Sequence, residues 1–306
     1  MALNLSRFDP LMLRIFLLSA QYLSLTKAAA EMHMTLSAVS KRISELENQL
    51  QCTLFIRLPR GLELTTAGHA LVEHAQHVLG SIQRLGVDMN AYALGLKGQV
   101  RIWANTSSVI QFLPSDLADF CHAHPDIRLS LEERVSHEVI SALTQGQIDM
   151  GIFADNIPSG QLEKYFYRKD QLVLLVPMGH ELASCESINF KEALDYDFVG
   201  LSNGASLLVR LQEASMQAEK PLKLRVQVNS FDAICRMIEA GLGVGILPIQ
   251  AVRPEILGKQ LVAVELTDTW AKRTLWLGTR LSKGLSPEAE KLLAYLKQTH
   301  LKTQVN

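Results

Sequence analysis

The segment from Ser24 to Leu50 restricts what this chain can fold into more than any other part of the sequence. Its first half is rich in alanine, and Ala28 to Ala30 would allow a second helix to approach closely. His33 is of a residue type enriched in left-handed turns, and Thr35 can cap a following helix. In the second half, apolar side chains recur every three or four residues, which predicts the buried stripe of an amphipathic helix. The residues of that stripe are Leu36, Val39, Ile43, Leu46 and Leu50.

The opposite face of this second helix is polar. It carries Ser37, Ser40, Lys41, Ser44 and Asn48. Small hydroxyls beside a cation allow a helix to lie close to a sugar-phosphate backbone and to hydrogen bond with base edges. For any single amphipathic helix the alternative is an ordinary solvated surface. Two helices joined by a short turn instead favour a helix-turn-helix that lies in a DNA groove.

A β-hairpin is predicted directly after the helix-turn-helix. Two short apolar runs flank Pro59-Arg60-Gly61, which would make the segment a winged helix-turn-helix. Arg57 and Arg60 would project from this wing toward phosphates or into a minor groove; solvated arginines on an ordinary hairpin are the alternative. Cations must act locally here, because Lys plus Arg (30) nearly equals Asp plus Glu (31) over the whole chain.

A longer series of residues around this segment follows a known pattern. The series is Leu13-Arg14-Ile15-Phe16, Ser24-Leu25-Thr26-Lys27-Ala28-Ala29, Ala38-Val39-Ser40, Ile43, Leu46-Glu47, Leu54-Phe55-Ile56-Arg57, Arg60-Gly61, Leu64-Thr65 and Ala67-Gly68. In this order and spacing it resembles the LysR-type transcriptional regulators of bacteria. The chain departs from the family at Leu36-Ser37, where Gln-Pro is usual, so base contacts at those two positions are not carried over.

The resemblance implies a bacterial transcriptional regulator that binds double-stranded DNA. We expect one group of side chains to hold phosphates: Thr26, Lys27, Arg42, Arg57 and Arg60. A second group on the recognition helix would face the bases: Ser37, Ser40 and Lys41. Thr35, at the start of that helix, completes the expected DNA-binding set.

Residues 66–95 are predicted to form one long helix that needs a partner. Apolar positions follow one another at alternating spacings of four and three, which is a heptad seam. They are Leu71, Ala75, Val78, Ile82, Leu85, Met89 and Tyr92. A coiled-coil homodimer is the preferred interpretation, and packing against the chain's own C-terminal domain is the alternative. The resemblance implies a dimerising linker helix, and the family often forms tetramers.

From Gln99 onward, strand and helix patterns alternate, which predicts an α/β domain. One helix is predicted over Ile110–His124. Motifs such as Leu113-Pro114, Ile148-Asp149 and Gly241 to Pro248 resemble the family's effector-binding domain, whose fold is like that of periplasmic solute-binding proteins. The resemblance implies two lobes with a small ligand between them. The predicted fold is therefore α/β with a winged helix-turn-helix domain at the N-terminus.

The predicted organisation has three parts. These are the winged helix-turn-helix domain (1–65), the linker helix (66–95) and the effector-binding domain (96–306). A boundary is predicted at Leu94 to Gly98, where two glycines and a lysine separate the heptad seam from the first strand. Within the last domain, one lobe would comprise 96–168 and 272–306, and the other 169–271.

Two loops between a strand and a helix are the candidates for effector binding. Asn105 to Ser108 and Ser202 to Ser206 both offer hydroxyls beside free backbone N–H groups, which suit a carboxylate or other anion. The alternative is that these residues only cap their own helices. The expected effector-binding residues are Thr106, Ser107, Ser108, Arg134, Phe153, Ser202 and Ser206.

Catalytic and cofactor motifs are not found in the sequence. There is no phosphate loop, no HExxH, no GxSxG and no clustered Cys/His set, so we expect neither catalysis nor a cofactor or metal. The four cysteines are scattered, and no apolar run approaches the roughly 20 residues needed to span a bilayer. The N-terminus lacks the pattern of a signal peptide, which favours a cytoplasmic protein. The alternatives are a solute-binding or enzymatic α/β protein and a ligand-independent architectural DNA-binding protein.

Overall fold

A computed structural model describes residues 9–59, 61–93, 99–280 and 284–303, with the backbone alone for residues 84, 87, 88, 90–93 and 299–303. The chain divides into two compact units, one of residues 1–95 with 144–147 and the other of residues 96–143 with 148–306. Arg60, the side chain of Tyr92 and the predicted boundary at Leu94 to Gly98 lie outside the described residues.

Among its described residues, the first unit contains four helices and a two-stranded sheet. Its elements are α1 (Pro10–Tyr22), α2 (Leu25–Glu31), α3 (Leu36–Leu50), β1 (Phe55–Leu58), β2 (Gly61–Leu64) and α4 (Thr66–Ala93). Each of the first three helices begins at a side-chain cap: Asp9, Ser24 and Thr35. These caps accept backbone N–H groups that have no partner within the helix. The helix starts are therefore fixed by local sequence.

The predicted turn between α2 and α3 is confirmed. His33 has a left-handed φ of 52°, and the Met34 N–H donates to the Ala29 carbonyl at 2.9 Å. Ala28 and Ala29 are buried, which lets α1 and α3 pack closely against α2. Thr35 then caps α3 by accepting the Ala38 N–H at 3.3 Å.

The apolar stripe of α3 is confirmed except at its first position. Val39, Ile43 and Leu46 are buried in the same core as Phe16 of α1. Leu36 is 48% exposed, so its assignment to the stripe was wrong. Leu36 is the first residue of α3 and lies a turn before the point where this helix meets the core.

The hairpin is a wing that is fastened to α3. Leu58 pairs with Gly61 across the turn, and Gly61 has a φ of +105° that favours glycine. Glu47 of α3 accepts the backbone N–H of Leu54 at 2.7 Å and that of Phe55 at 3.3 Å. The recognition helix and the wing are therefore held in a fixed relation.

The heptad seam of α4 is divided between two environments. Ala75 is fully buried in the core of the first unit, and Leu71 is packed against that core. Four later members of the seam are 42–58% exposed: Val78, Ile82, Leu85 and Met89. Among the described members of the seam, Leu71 and Ala75 alone belong to the unit's own core.

The second unit contains the remaining ten strands and seven helices among its described residues. The strands are β3 (Gln99–Ala104), β4 (Arg128–Glu133), β5 (Met150–Ala154), β6 (Glu163–Pro177), β7 (Ser187–Ile188), β8 (Phe198–Leu201), β9 (Leu224–Val228), β10 (Gly245–Pro248), β11 (Leu261–Leu266) and β12 (Lys272–Thr279). The helices are α5 (Thr106–Gln111), α6 (Leu113–Ala123), α7 (Ser136–Thr144), α8 (Phe190–Ala193), α9 (Ser206–Gln217), α10 (Phe231–Glu239) and α11 (Pro287–Thr303).

The strands form two lobes that share β6. Strands β4, β3, β5 and β12 form the first lobe with residues 163–171 of β6. Residues 172–177 of β6 pair with β10 and β11 in the second lobe, where β8 and β9 form a separate parallel pair. Two strands, β6 and β12, therefore meet at the passage between the lobes.

Each lobe has its own core. In the first lobe, Phe120 of α6 and Leu292 of α11 pack against Tyr167 and the central strands. In the second lobe, Phe198 and Ile234 are fully buried with the apolar half of β6. The predicted helix over Ile110–His124 is confirmed over Leu113–Ala123, but its start was wrong, since α5 and α6 are separate and meet at Phe112. Pro114 disfavours continuation of α5, because proline has no N–H and clashes with the preceding turn.

Candidate DNA-binding surface and ligand cleft

The polar face of α3 lies open to solvent beside the wing. Ser37 and Lys41 are exposed and Ser40 is half-buried. Arg57 of β1 donates from Nη2 to the Ser40 hydroxyl at 3.4 Å. The fold therefore brings a wing arginine and a recognition-helix serine, 17 residues apart in sequence, onto one surface.

The remaining expected DNA-binding residues lie around that surface. Thr26 and Lys27 are exposed in the first turn of α2. Thr35 is used as the α3 cap, and its hydroxyl also lies 3.1 Å from that of Ser37. Thr35 is therefore placed to fix the start of α3, and the structure describes no geometry for Arg60.

The two cations of α3 make only long ion pairs. Lys41 Nζ is 3.9 Å from Glu45, and Arg42 Nη1 is 3.8 Å from Asp9 and 3.9 Å from Glu45. Exposed pairs of this kind contribute little to stability and are screened by salt. Both cations can therefore exchange their carboxylate partners for a phosphate at little cost.

A cleft of about 310 Å³ opens between the two lobes of the second unit. From the first lobe it is lined by Thr106, Glu133, Arg134, Val135, His137 and Glu138. From the second lobe it is lined by Leu201, Ser202, Asn203, Ala205 and Asn229. Its volume suits a small metabolite.

Three of the seven expected effector residues line this cleft: Thr106, Arg134 and Ser202. The Thr106 hydroxyl donates to Glu133 at 2.6 Å. Arg134 Nη2 is 2.7 Å from Glu132, and the guanidinium lies over the Trp103 ring at 5.1 Å. The Ser202 hydroxyl donates to the Val228 carbonyl at 3.2 Å.

The structure does not place the other four expected residues in the cleft. Ser107 is buried and accepts a hydrogen bond from Arg273, and buried Ser108 donates to Asn105 at 2.6 Å. Phe153 lies in the core beneath α7, because alternate residues of the buried strand β5 face opposite sides of the sheet. Ser206 is buried, and its carbonyl accepts from Asn156 at 3.0 Å.

A buried ion pair joins the two strands at the passage between the lobes. Arg273 of β12 donates to Asp170 of β6 at 2.5 Å from Nε and at 2.6 Å from Nη2, and both side chains are 1% exposed. Arg273 Nη2 also donates to the Ser107 hydroxyl at 2.6 Å, and Gln111 donates to Asp170 at 3.2 Å. Helix α5, which follows β3, is thus bonded to the passage between the lobes through Ser107 and Gln111.

A second ion pair connects the lobes directly. Arg210 of α9 binds Asp155, which follows β5 in the first lobe and also accepts the Thr274 N–H at 3.1 Å. Burial lowers the pKa of Arg210, and the Asp155 carboxylate opposes that effect. Together with the bond between Asn156 and Ser206, this pair holds the N-terminal end of α9 against the first lobe.

Sequence reasoning missed several residues of the cleft. Glu133, His137 and Glu138 come from the end of β4 and the start of α7. Since β3 and β4 are parallel neighbours, their carboxyl ends meet at one edge of the sheet. In the sequence, the strand pattern of residues 127–131 and the helix pattern that begins at Ser136 could have indicated this loop as a neighbour of Thr106.

The described residues offer no group of His, Cys, Asp and Glu side chains arranged to hold a metal ion. Among them there is also no helix whose length and apolar character would suit a membrane span.

A winged helix-turn-helix, together with a two-lobed α/β unit and its polar cleft, defines a class of proteins that bind DNA under the control of a small ligand. Residues 11–69 match the family described as bacterial regulatory helix-turn-helix protein, lysR family, and residues 93–300 match the LysR substrate binding domain. The chain belongs to the LysR family, and it is a transcriptional regulator with a DNA-binding domain and an effector-binding domain. The predicted family, fold class and function are confirmed.

One relative from Escherichia coli K12 is similar along most of its length. This HTH-type transcriptional regulator, YbhD, is 28% identical over 291 residues, which cover 93% of this chain and 89% of the relative.

Full-length CbnR complexed with its target DNA has a TM-score of 0.54 at 20% identity, covering 95% of this chain and 99% of that one. The regulatory domain of CcmR from Synechocystis PCC6803, in complex with 2-PG, has a TM-score of 0.61 at 21% identity, covering 66% of this chain and 97% of that one. These structures establish the shared fold.

Proposed function

We propose that α3 enters the DNA major groove while the wing contacts the adjacent backbone. Ser37, Ser40 and Lys41 would face the bases. The observation that carries this assignment is the contact between Arg57 and Ser40, which joins the wing and the exposed face of α3 in one surface. The solved CbnR complex with DNA is a precedent for a protein of this fold.

The proposed phosphate contacts surround this surface. Thr26 and Lys27 would approach the backbone from α2, Arg42 from α3, and Arg57 and Arg60 from the wing. Each phosphate that is neutralised releases condensed counterions, so these residues would add affinity without adding sequence preference.

A homodimer through α4 is the second part of the proposal. Val78, Ile82, Leu85 and Met89 leave a row of apolar side chains exposed on one face of a helix. Burying such a row against the same helix of a second copy would remove it from water and place two recognition helices at a fixed separation. Tetramers remain an expectation from the family.

The third part of the proposal concerns the effector. A small molecule in the cleft would contact both lobes and change their relation, and therefore the arrangement of the bound DNA. The complex of the CcmR regulatory domain with 2-PG supports a ligand-binding role for this fold. We assign no reaction to the cleft and place the protein in the cytoplasm with the DNA that it regulates. Turnover of a metabolite by the purified protein would contradict the assignment.

Gel retardation of the DNA upstream of the protein's own gene tests the DNA contacts. Lys41→Ala should reduce affinity for the specific site, whereas Arg57→Ala should weaken binding to all sequences. Loss of one phosphate contact should reduce the salt slope by about 0.9. Lys259→Ala, an exposed lysine of the second unit, is the matched control. Unchanged affinity in both variants would refute these contacts.

Light scattering of the purified protein tests the dimer. Ile82→Glu and Leu85→Glu should give monomers, because each puts a charge into the apolar seam. Gln83→Glu introduces the same charge at an exposed position on another face of α4 and should leave the dimer intact. A wild-type protein that is monomeric would remove this part of the proposal.

A further inference from the structure

The first turn of α3 exposes an apolar side chain within a polar surface. Leu36 is the first residue of α3 and is 48% exposed. Its neighbours in the sequence, Thr35 and Ser37, are polar and also exposed. The part of α3 that belongs to the core of the first unit begins at Val39. Leu36 is therefore an apolar residue that this core does not use.

Helix geometry places Leu36 on the proposed DNA-binding surface. Side chains four residues apart lie on the same face of a helix, so Leu36 shares a row with Ser40 and Ser44. Ser40 is the residue to which Arg57 of the wing donates a hydrogen bond at 3.4 Å. Leu36 lies one turn before this contact, at the N-terminal end of the helix. In helix-turn-helix proteins, residues at that end of the recognition helix contact base edges.

Hydrogen bonds fix the surroundings of Leu36. Thr35 accepts the Ala38 N–H at 3.3 Å, and its hydroxyl lies 3.1 Å from that of Ser37. Together with the bond between Arg57 and Ser40, these contacts hold the first turn of α3 beside the wing. A side chain whose backbone is already positioned loses less conformational entropy when it makes a contact with a partner.

The chemistry of Leu36 restricts what it can contact in DNA. A leucine side chain has no hydrogen-bond donor or acceptor and no charge, so it neither holds a phosphate nor bonds to the polar atoms of a base. The other members of its row, Ser40 and Ser44, carry no charge either. The apolar group that a base presents in the major groove is the C5-methyl of thymine. Contact between the two removes apolar surface of both from water, which is favourable.

We infer that Leu36 is a specificity-determining residue that recognises the C5-methyl group of a thymine in the bound site. The inference rests on the proposed entry of α3 into the major groove. Leu36 discriminates against bases that lack the methyl group, while Ser37, Ser40 and Lys41 supply the hydrogen bonds around it.

Uracil interference provides the test, because deoxyuridine differs from thymidine only by that methyl group. The DNA upstream of the protein's own gene is prepared with uracil in place of some thymines. Gel retardation with the full-length protein separates bound from free fragments, and cleavage at uracil shows which thymines are required. The variants are Leu36→Ala and Leu36→Gln. Leu131→Ala is the matched control, because Leu131 is 37% exposed and lies on β4 of the second unit.

For the wild type, we expect at least one thymine at which uracil weakens binding, by about fourfold for one buried methyl group. In Leu36→Ala and Leu36→Gln, uracil at that thymine should have no further effect, because the contact is already lost. Leu131→Ala should keep the wild-type pattern. Leu36 is exposed and alanine favours a helix, so the alanine variant should retain the fold.

Two results would overturn the inference and leave the DNA-binding proposal intact. In the first, the wild type retards the DNA but no thymine is sensitive to uracil. In the second, every sensitive thymine remains equally sensitive in both Leu36 variants. A wild-type protein that does not retard the DNA would contradict the proposed function itself, and the inference with it.

Discussion

The two loops that were expected to clamp the effector have the same sequence context but different hydrogen bonding. In the first lobe, Asn105 caps α5 by accepting the Ser108 N–H at 3.0 Å, and Ser107 and Ser108 are buried in bonds to other protein groups. In the second lobe, α9 has no side-chain cap, and Ser202 donates to the Val228 carbonyl at the end of β9. The side chains of the first loop are used in bonds within the protein, whereas the second loop lines the cleft with Ser202, Asn203 and Ala205.

The difference shows that a strand, a polar loop and a helix do not by themselves define a binding site. What matters is whether the loop's own side chains already use the N–H groups at the start of the helix. A loop with asparagine at the capping position uses them, whereas a loop with Ala205 there cannot. The first loop should therefore govern stability, and the second should govern ligand affinity.

The largest loss of stability is expected from substitution of Arg273, to which Ser107 of the first loop is bonded. Arg273→Ala would leave Asp170 buried without its cation, which should lower the free energy of unfolding by about 3–5 kcal/mol. Urea unfolding monitored by circular dichroism gives the value. Arg225→Ala is the matched control, since its ion pair with Asp197 is exposed and 3.6 Å long; it should cost about 0–1 kcal/mol. Equal losses of unfolding free energy in the two variants would contradict the distinction between the buried and the exposed ion pair.

The next largest loss of stability is expected from substitution of Asn105. Asn105→Ala removes the cap of α5 and the acceptor of the buried Ser108 hydroxyl. It also removes an Nδ2 that has no partner among the described residues, so the net loss should be about 1–2 kcal/mol. Denaturant unfolding measures it, and binding of the effector should change little. A variant as stable as the wild type would mean that the loop is not structural.

A smaller loss of stability is expected from the second loop. Ser202→Ala removes one donor at a half-buried position where water can replace it, so the cost should be at most about 1 kcal/mol. Effector affinity should fall instead, because Ser202 lines the cleft. Isothermal titration and unfolding on the same variant separate the two quantities. The comparison would fail if Ser202→Ala lost more stability than Asn105→Ala.

The smallest effect is expected at Ser206. Its backbone carbonyl, and not its hydroxyl, accepts the bond from Asn156. Ser206→Ala should therefore change the free energy of unfolding by no more than about 0.5 kcal/mol. Thermal unfolding checks this. A larger loss would show that the hydroxyl has a role in the contact between the lobes.

Features that depend on short sequence distances could be predicted. The turn at His33, the cap at Thr35 and the wing around Gly61 all follow from residue type and spacing within a few positions. The seam of α4 was predicted in the same way, although the sequence could not indicate that Ala75 packs inward while Ile82 remains exposed. That division depends on which part of α4 packs against the core of the first unit, which is a property of the folded unit.

Features that depend on distant partners could not be predicted. Arg273 and Asp170 are 103 residues apart. The sequence around each of them gives no sign that its charged side chain is almost completely buried. The strand β6 also has an irregularity opposite Leu275 and Trp276, which leaves Tyr167 as an extra residue between paired neighbours. Both Tyr167 and Arg168 are consequently buried, although regular alternation would bury only one of them.

The sharing of β6 between the lobes limits how the second unit can tolerate mutation. One continuous strand sets the pleat for both lobes, with the first lobe paired to residues 163–171 and the second to residues 172–177. Inserting a single residue at the junction would invert the inward and outward side chains of one lobe while the other kept its alternation. Insertions and deletions are therefore tolerated better in the loops around the cleft than in β6, whose number of residues must stay the same.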